Sequence, residues 1–296
     1  MRPIRAYWWS PLRSPRALAS EVRHRPQAWL RNPGHGATRF TNYGDELTAL
    51  LVESVTGRRV RWAPLGHADV VAVGSVLAQY LARGGPELVW GSGLHAPVDL
   101  TPETRRAVRE RVLAVRGHRT RDHLGLGADT PLGDPALLLR VLTPPRRPRR
   151  DAPVLVPHFS DLASPAGRLV CGEFRRAGYH VADPSLHPRA MVALVSRASH
   201  VVTAGMHGLI LAHALGAPVL VTHLDGTGER SRWKYHDYLA AVGRPFRSTP
   251  ASTILTDDRA RAALLEEARA ATPTVLARVD GLVDDLLDAA EPLRTV

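Results

Sequence analysis

The sequence contains very little cysteine and no long hydrophobic run. A single cysteine, Cys171, among 296 residues excludes an intramolecular disulfide framework and a cysteine-rich zinc site. No stretch of about eighteen apolar residues without charge occurs, so we expect no transmembrane segment. The N-terminal residues include no apolar run of the length that a signal peptide needs, and we therefore expect a soluble, cytoplasmic protein.

Motifs that bind metals, dinucleotides or nucleic acids are also missing. The fourteen histidines show no metal-type spacing and no His-Glu-x-x-His occurs, so we expect no catalytic metal. Neither a Gly-x-Gly-x-x-Gly fingerprint nor a Walker loop is present. Aromatic residues make up 5% of the chain and are not interleaved with basic residues in the way that stacks bases, which argues against a nucleic-acid partner.

Positive charge, by contrast, is abundant. The formal net charge of +11 attracts anions, which include an anionic membrane, a polyanion and a small phosphorylated substrate. Lys234 is the single lysine among 39 basic residues. Its ammonium is compact and burial shifts its pKa, and an arginine offers neither property. Lys234 is therefore a candidate anion ligand, against the alternative that it survives by chance on the surface.

Short apolar runs alternate with helical stretches along most of the chain. This alternation predicts parallel sheets covered on both faces. Three prolines and four arginines in residues 143–150 interrupt it and indicate a linker. We predict an α/β protein of two Rossmann-like domains, 1–142 and 154–296, joined by residues 143–153 in a GT-B-like arrangement with a central cleft.

Two segments depart from the regular alternation. Residues 10–39 are rich in arginine, proline and histidine and are interpreted as an insertion after the first strand, near the cleft. Residues 257–290 predict a helical tail that Pro273 breaks.

The strongest local pattern covers residues 201–218. A buried strand leads into a glycine-containing turn, and a helix follows immediately, which places His207 at the helix N-terminus. Free backbone N–H groups and the helix dipole make such a terminus an anion site. Gly205 and Gly208 allow close approach of a ligand. His207 is a candidate phosphate or carboxylate ligand or general acid, and the alternative is a cap residue without a ligand.

Several segments match one family in chain order. The run from Thr203 to Pro218 resembles the Ser-x-x-x-His-Gly-Leu-Ile-x-Ala-x-Ala-x-Gly-x-Pro signature of the polysaccharide pyruvyl transferases. The further similar segments are residues 42–47, 73–75, 90–93, 115–122, 132–136 and 233–238. The resemblance implies transfer of pyruvate from phosphoenolpyruvate, as co-substrate and without a further cofactor, to sugar hydroxyls as a ketal. The acceptor would be a sugar in a polysaccharide, glycolipid or glycosylated metabolite.

The resemblance also suggests roles for individual residues. His207 would be the general acid or a phosphate ligand, and Arg116 and Lys234 would hold the anion. Asp45 is a possible base on the side where the acceptor hydroxyls enter. The remaining candidates for substrate contacts are Asn42, Gly44, Ser92, His158, Gly205, Met206 and Gly208.

One position departs from the family pattern and keeps other functions open. Gly205 stands where many members have arginine and others serine. Either Arg116, Lys234 or Arg121 supplies the missing charge, or the donor differs. The alternatives are a GT-B glycosyltransferase that uses a nucleotide sugar, a non-catalytic polyanion-binding protein, and a family member that acts in a natural-product or glycolipid pathway. A lipid-linked acceptor would bring the protein into peripheral contact with a membrane.

Overall fold

The computed structural model describes residues 2–24, 42–144, 152–224 and 232–296. Its framework is two parallel sheets of five strands each. The first sheet contains β1 (Ile4–Tyr7), β2 (Val60–Trp62), β3 (Val70–Val71), β4 (Leu88–Trp90) and β5 (Val112–Ala114). The second contains β6 (Val154–Val156), β7 (His180–Val181), β8 (Val201–Thr203), β9 (Val219–His223) and β10 (Thr249–Pro250). We call residues 2–144 the first half and residues 152–296 the second half.

The two sheets have the same strand order. The first runs β2-β1-β3-β4-β5, and the second runs β7-β6-β8-β9-β10. In each sheet the direction in which successive strands are added reverses beside the first strand. The reversal lies between β1 and β3 in the first sheet and between β6 and β8 in the second. Such a reversal is a topological switch point, where the connections leave on opposite faces and open a crevice at the carboxyl ends of the strands. The predicted α/β class with two parallel sheets is confirmed.

The helices cover both faces of the sheets. In the first half they are α1 (Pro15–His24), α2 (Tyr43–Thr56), α3 (Leu77–Arg83), α4 (Pro102–Arg109), α5 (His118–Leu124) and α6 (Leu139–Leu142). In the second half they are α7 (Phe159–Ala163), α8 (Pro165–Arg176), α9 (Pro188–Val195), α10 (Met206–Leu215), α11 (Arg232–Ala241), α12 (Ala251–Thr256) and α13 (Asp258–Ala289). Single 3-10 turns occur at Pro11–Arg13, Pro135–Leu138 and Glu291–Arg294.

The predicted helix ends follow from local chemistry. The Thr101 hydroxyl accepts the Thr104 N–H at the start of α4, as its Thr-Pro sequence indicates. Gly57 and Gly216 end α2 and α10 with φ of 67° and 70°, the left-handed conformation that favours glycine. No helix among the described residues is both long and apolar enough to cross a membrane.

The predicted break at Pro273 is wrong, because α13 continues through this residue. Pro273 lies on the exposed side of the helix, where the loss of one N–H bond is compensated by water. The buried side holds Leu265 before the proline and Val275 and Val279 after it. Packing on both sides of the proline therefore keeps one helix.

The insertion and the linker are described only in part. Residues 10–24 of the predicted insertion form the 3-10 turn and α1, and residues 25–39 lie outside the described residues. Residues 145–151 of the predicted linker also lie outside them. The C-terminal end of α13 returns to the first half, where Trp90 Nε1 donates to the carbonyl of Leu286 at 2.9 Å.

Candidate active site at the two switch points

A cavity of about 200 Å³ lies where the two switch points meet. Each of the four strands beside a switch point contributes lining residues just beyond its carboxyl end. Trp9 follows β1, Ser75 follows β3, His158 follows β6, and Gly205 and His207 follow β8. The parallel arrangement thus brings four segments that are far apart in sequence to one crevice.

The remaining wall comes from helix starts and loops. It is formed by Asn42, Tyr43, Asp45, Val76, Gln79, His95, Pro157, Phe159, Pro184, Met206 and Lys234. Seven of the residues predicted from the sequence therefore line one cavity. They are Asn42, Asp45, His158, Gly205, Met206, His207 and Lys234.

His207 is the second residue of α10, and the backbone of α2 packs against its ring. A Cβ added to Gly44 would lie 2.0 Å from His207 Nδ1, so only glycine permits this approach. Gly208 packs in the same way, because its Cβ would lie 2.2 Å from Thr203 Oγ1. The structure thus places Gly44 and Gly208 in the packing behind the cavity wall.

Gly205, the residue that departs from the family pattern, caps α10 in an extended conformation with φ of −116°. A Cβ there would meet atoms of His158 and Pro157 at 3.9 Å, an ordinary contact distance. Neither the backbone nor the space at this point therefore requires glycine.

Asp45 and His207 face each other across Gly74. A Cβ on Gly74, whose φ is 100°, would lie 2.4 Å from Asp45 Oδ1 and 3.9 Å from His207 Nε2. Both polar atoms therefore lie close to the same point of the first sheet's switch region. The carboxyl and the imidazole come from different halves of the molecule and meet in the cavity.

The pKa values of these two groups move in opposite directions. Burial raises the pKa of Asp45 well above its usual range, and the nearby Glu46 and Asp134 raise it further. Asn42 Nδ2 donates to Asp45 Oδ2 at 2.8 Å. Burial, followed by the charges of Lys234 and Arg116, lowers the pKa of His207 to about 3. These shifts favour the protonated form of the Asp45 carboxyl and the neutral form of the His207 imidazole in the same cavity.

Lys234 brings a positive charge to the cavity from α11. Its side chain is buried, and burial together with Arg116 lowers its pKa to about 8, while Asp45 opposes this shift. Its ammonium therefore keeps its proton at neutral pH. A buried ammonium that has lost most of its water gains much from a bound anion.

Arg116 and Ser92 do not line the cavity. The Arg116 side chain is fully buried, and its Nη2 forms an ion pair with Asp237 Oδ2 at 3.0 Å. Its Nη1 donates to Ser75 Oγ at 2.6 Å, so the guanidinium lies one layer behind the lining residue Ser75. The Ser92 hydroxyl donates to the Gly74 carbonyl at 3.0 Å. Arg116 thus affects the groups that line the cavity through its electrostatic field and not by direct contact with a ligand.

Comparison with known proteins decides the family. The sequence model of the polysaccharide pyruvyl transferase family matches residues 3–222. The chain belongs to the polysaccharide pyruvyl transferase family. A search of curated proteins gave no significant match. The residues that match this family include all four strands beside the switch points, together with Asp45 and His207.

Helix α11 lies beyond the part that matches the pyruvyl transferase family, yet it contacts both halves of the molecule. Asp237 accepts hydrogen bonds from Thr120 N and Thr120 Oγ1, both at 2.8 Å, in addition to those from Arg116. On the other side, Tyr235 donates to the carbonyl of Ala204 at 3.0 Å. These contacts fix Lys234, which belongs to the same helix, at the cavity.

The sequence analysis missed the role of Asp237. The residue lies 121 positions from Arg116, and nothing local in either segment indicates the pair. Asp134 caps the 3-10 turn Pro135–Leu138, where its Oδ1 accepts the Ala136 N–H at 3.0 Å. Its Oδ2 is buried with no hydrogen-bond partner among the described residues, and burial raises the pKa of this carboxyl to about 6.

Proposed function

We propose that this protein transfers the pyruvyl group of phosphoenolpyruvate to two hydroxyls of a sugar, forming a cyclic ketal. The supporting observation is that a carboxyl with a raised pKa, an imidazole with a lowered pKa and a buried ammonium line one cavity at the paired switch points. Family membership supports pyruvyl transfer. The reaction requires an enzyme to hold an anion while a proton is transferred to carbon. The ammonium can hold the anion, and the carboxyl and imidazole can transfer protons.

The donor would bind on the α10 side of the cavity. Lys234 supplies the ammonium, and the first turn of α10 supplies N–H groups and the positive end of the helix dipole. Arg116 adds a field from behind Ser75, although its pair with Asp237 reduces that field. These contacts replace the guanidinium that other family members carry at the position of Gly205.

Asp45 is the better proton donor of the two titratable groups. Burial raises the pKa of Asp45 and so favours its protonated form, and in this proposal the carboxyl delivers its proton to the methylene carbon of the enol ether. The double bond supplies the electron pair for the new C–H bond, and C2 becomes an oxocarbenium centre. The proposal therefore assigns Asp45 a role as acid, whereas the sequence suggested a base, and turnover of Asp45→Asn across pH would distinguish the two roles.

His207 completes the transfer as base and ligand. Its neutral imidazole accepts the proton of the first sugar hydroxyl as that oxygen bonds to C2. The phosphate then leaves with the electrons of its C–O bond. The second hydroxyl attacks C2, closes the ring and gives its proton to the departing phosphate. The His207 imidazolium then returns its proton to the Asp45 carboxylate, so both groups regain their starting states and the atoms balance as donor plus diol giving ketal plus inorganic phosphate.

The twin strand orders support a GT-B-like division into two Rossmann-like domains, with the boundary within residues 143–153. We propose a cytoplasmic location, because phosphoenolpyruvate is an intracellular metabolite. The acceptor would be a glycan or a lipid-linked sugar reached by peripheral contact.

Thermal unfolding with candidate ligands tests the donor. Phosphoenolpyruvate should raise the melting temperature of the wild type, because a ligand that binds only the native state stabilises it. His207→Ala and Lys234→Met should lose this rise. Stabilisation by UDP-sugars alone would identify a glycosyltransferase, and a DNA duplex that stabilises only at low salt would identify a polyanion binder.

Turnover provides the second test. Purified enzyme, phosphoenolpyruvate and methyl pyranosides should release inorganic phosphate. The sugar product should gain the mass of pyruvic acid less one water. Phosphate release without this product would contradict ketal formation.

A further inference from the structure

Trp9 lines the cavity, and the proposed chemistry does not use it. It lies two residues beyond the end of β1, at the carboxyl side of the first sheet's switch point. Its side chain is half-buried, so part of the indole contributes to the cavity wall. A large aromatic residue at the place where a parallel sheet binds ligands is suited to contact a substrate.

The indole is held from two directions. Its ring centroid lies 5.6 Å from that of Phe159, with the two ring planes at 81°. Phe159 follows β6 and therefore belongs to the second half. Trp9 also packs against the buried apolar cluster of the first half that includes Val76 and Leu77. Ring and backbone are thus ordered before any ligand binds, which lowers the entropic cost of binding.

The cavity that Trp9 lines also contains polar side chains of the first half. Ser75 and Gln79 come from the β3–α3 region, and His95 comes from the loop after β4. A hydroxyl, an amide and an imidazole offer donors and acceptors to hydroxyl groups. A flat apolar ring that shares a cavity with such groups suits a pyranose, which has an apolar C–H face and a rim of hydroxyls.

From this geometry we propose that Trp9 is the platform on which the pyranose ring of the acceptor stacks. The inference rests on the proposed function, and it assigns the acceptor to the first half and the donor to α10. Asp45 belongs to the same half as Trp9, so a stacked sugar would present its hydroxyls beside the carboxyl and imidazole.

Acceptor kinetics and donor binding of three variants test the platform. Trp9→Ala should raise the KM for a methyl pyranoside acceptor by about tenfold, since an aromatic contact contributes about a kcal/mol beyond its area. Trp9→Phe keeps a ring and should lose less. Trp62→Phe, a half-buried tryptophan of β2 outside the cavity, is the matched control and should keep the wild-type KM. The phosphoenolpyruvate-induced melting shift should stay at its wild-type value in all three.

Saturation-transfer NMR with methyl galactoside, glucoside and mannoside, without donor, gives a readout that is independent of turnover. At least one pyranoside should receive signal from the wild type and lose it in Trp9→Ala. No transfer from the wild type, or equal transfer from Trp9→Ala, overturns the platform. Signal with uridine but with none of the pyranosides also overturns it and indicates a nucleotide base instead.

The two proposals fail in different ways. If phosphoenolpyruvate gives no melting shift with the wild type, the donor assignment fails, and the NMR experiment still decides on Trp9. If the shift depends on His207 but the acceptor KM is the same in Trp9→Ala, the platform alone fails. A Trp9→Ala protein that does not fold is replaced by Trp9→Phe in both measurements.

Discussion

The two switch points of this molecule share a topology and differ in chemistry. The first, between β1 and β3, presents an indole and a carboxyl whose pKa is raised; the second, between β6 and β8, presents a helix N-terminus and an imidazole. The same strand order therefore fixes where a ligand lies, and the residues after each strand decide what it is. An apolar and neutral side suits a sugar, whereas a side with helix N–H groups and an ammonium suits an anion.

The largest expected effect comes from removing the ion pair between Asp237 of the second half and Arg116 of the first half. Asp237→Asn leaves the Arg116 guanidinium fully buried without its counter-charge, which should cost about 3–5 kcal/mol of unfolding free energy. Chemical denaturation measures this loss. Asp280→Asn removes a surface pair, Arg140–Asp280, whose side chains are 36% and 52% exposed, and should cost less than about 1 kcal/mol.

A double variant separates the charge from the packing. Arg116→Met with Asp237→Leu removes both charges and should recover much of the lost stability. If Asp237→Asn is as stable as Asp280→Asn, the pair does not join the halves.

His207→Ala tests the second switch point. Turnover should fall about 100- to 1000-fold, because a positioned acid or base contributes this much. Phosphate release measures the effect, and far-UV circular dichroism checks that the variant keeps the fold. His67→Ala changes an exposed histidine of the first half and serves as control. Wild-type turnover in His207→Ala would remove the imidazole from the mechanism.

Asp45→Asn tests the first switch point. The direction of its effect on the free energy of unfolding follows from the raised pKa of Asp45. The folded state holds the Asp45 proton more tightly than the unfolded state, so this group destabilises the fold as pH rises above about 4. The variant should therefore be more stable than the wild type at pH 7, while turnover falls about 100-fold.

Asp69→Asn provides the contrast to Asp45. Although burial alone would raise its pKa, the bonds from Arg5 hold the pKa of Asp69 below its usual value. Its stabilising contribution is present above pH 4 and is lost as pH falls further, so Asp69→Asn should be slightly less stable at pH 7. Equal signs for the two variants would contradict the proposed protonation of Asp45.

Lys234→Met tests the charge at the anion-binding side of the cavity. The pKa of Lys234 falls from 10.5 to about 8, so at neutral pH its charge costs the fold at most about 3 kcal/mol. The variant should gain up to this amount in denaturation and bind phosphoenolpyruvate about tenfold more weakly. In the wild type, donor binding should weaken above pH 8 as the ammonium loses its proton. Unchanged binding with pH would exclude Lys234 as the ligand.

The sequence was informative wherever the signal was local. The alternation of strands and helices, the glycine helix ends and the strand-turn-helix at His207 all follow from neighbouring residues, and the structure confirms them. The meeting of Asp45 with His207 depends on strand order, which the sequence did not specify. The protonation of Asp45 and the pairing of Arg116 with Asp237 depend on burial and long-range packing, and no local pattern encodes either.

The return of α13 to the first half has a consequence for protein synthesis. The Leu286 carbonyl accepts the Trp90 indole N–H, and Arg294 Nε donates to the Val55 carbonyl at 3.1 Å. A nascent first sheet therefore leaves the ribosome long before the residues that complete its packing. Apolar surface of the first half therefore stays exposed for roughly the time that the second sheet takes to be translated. Chaperones would bind the nascent chain during this interval.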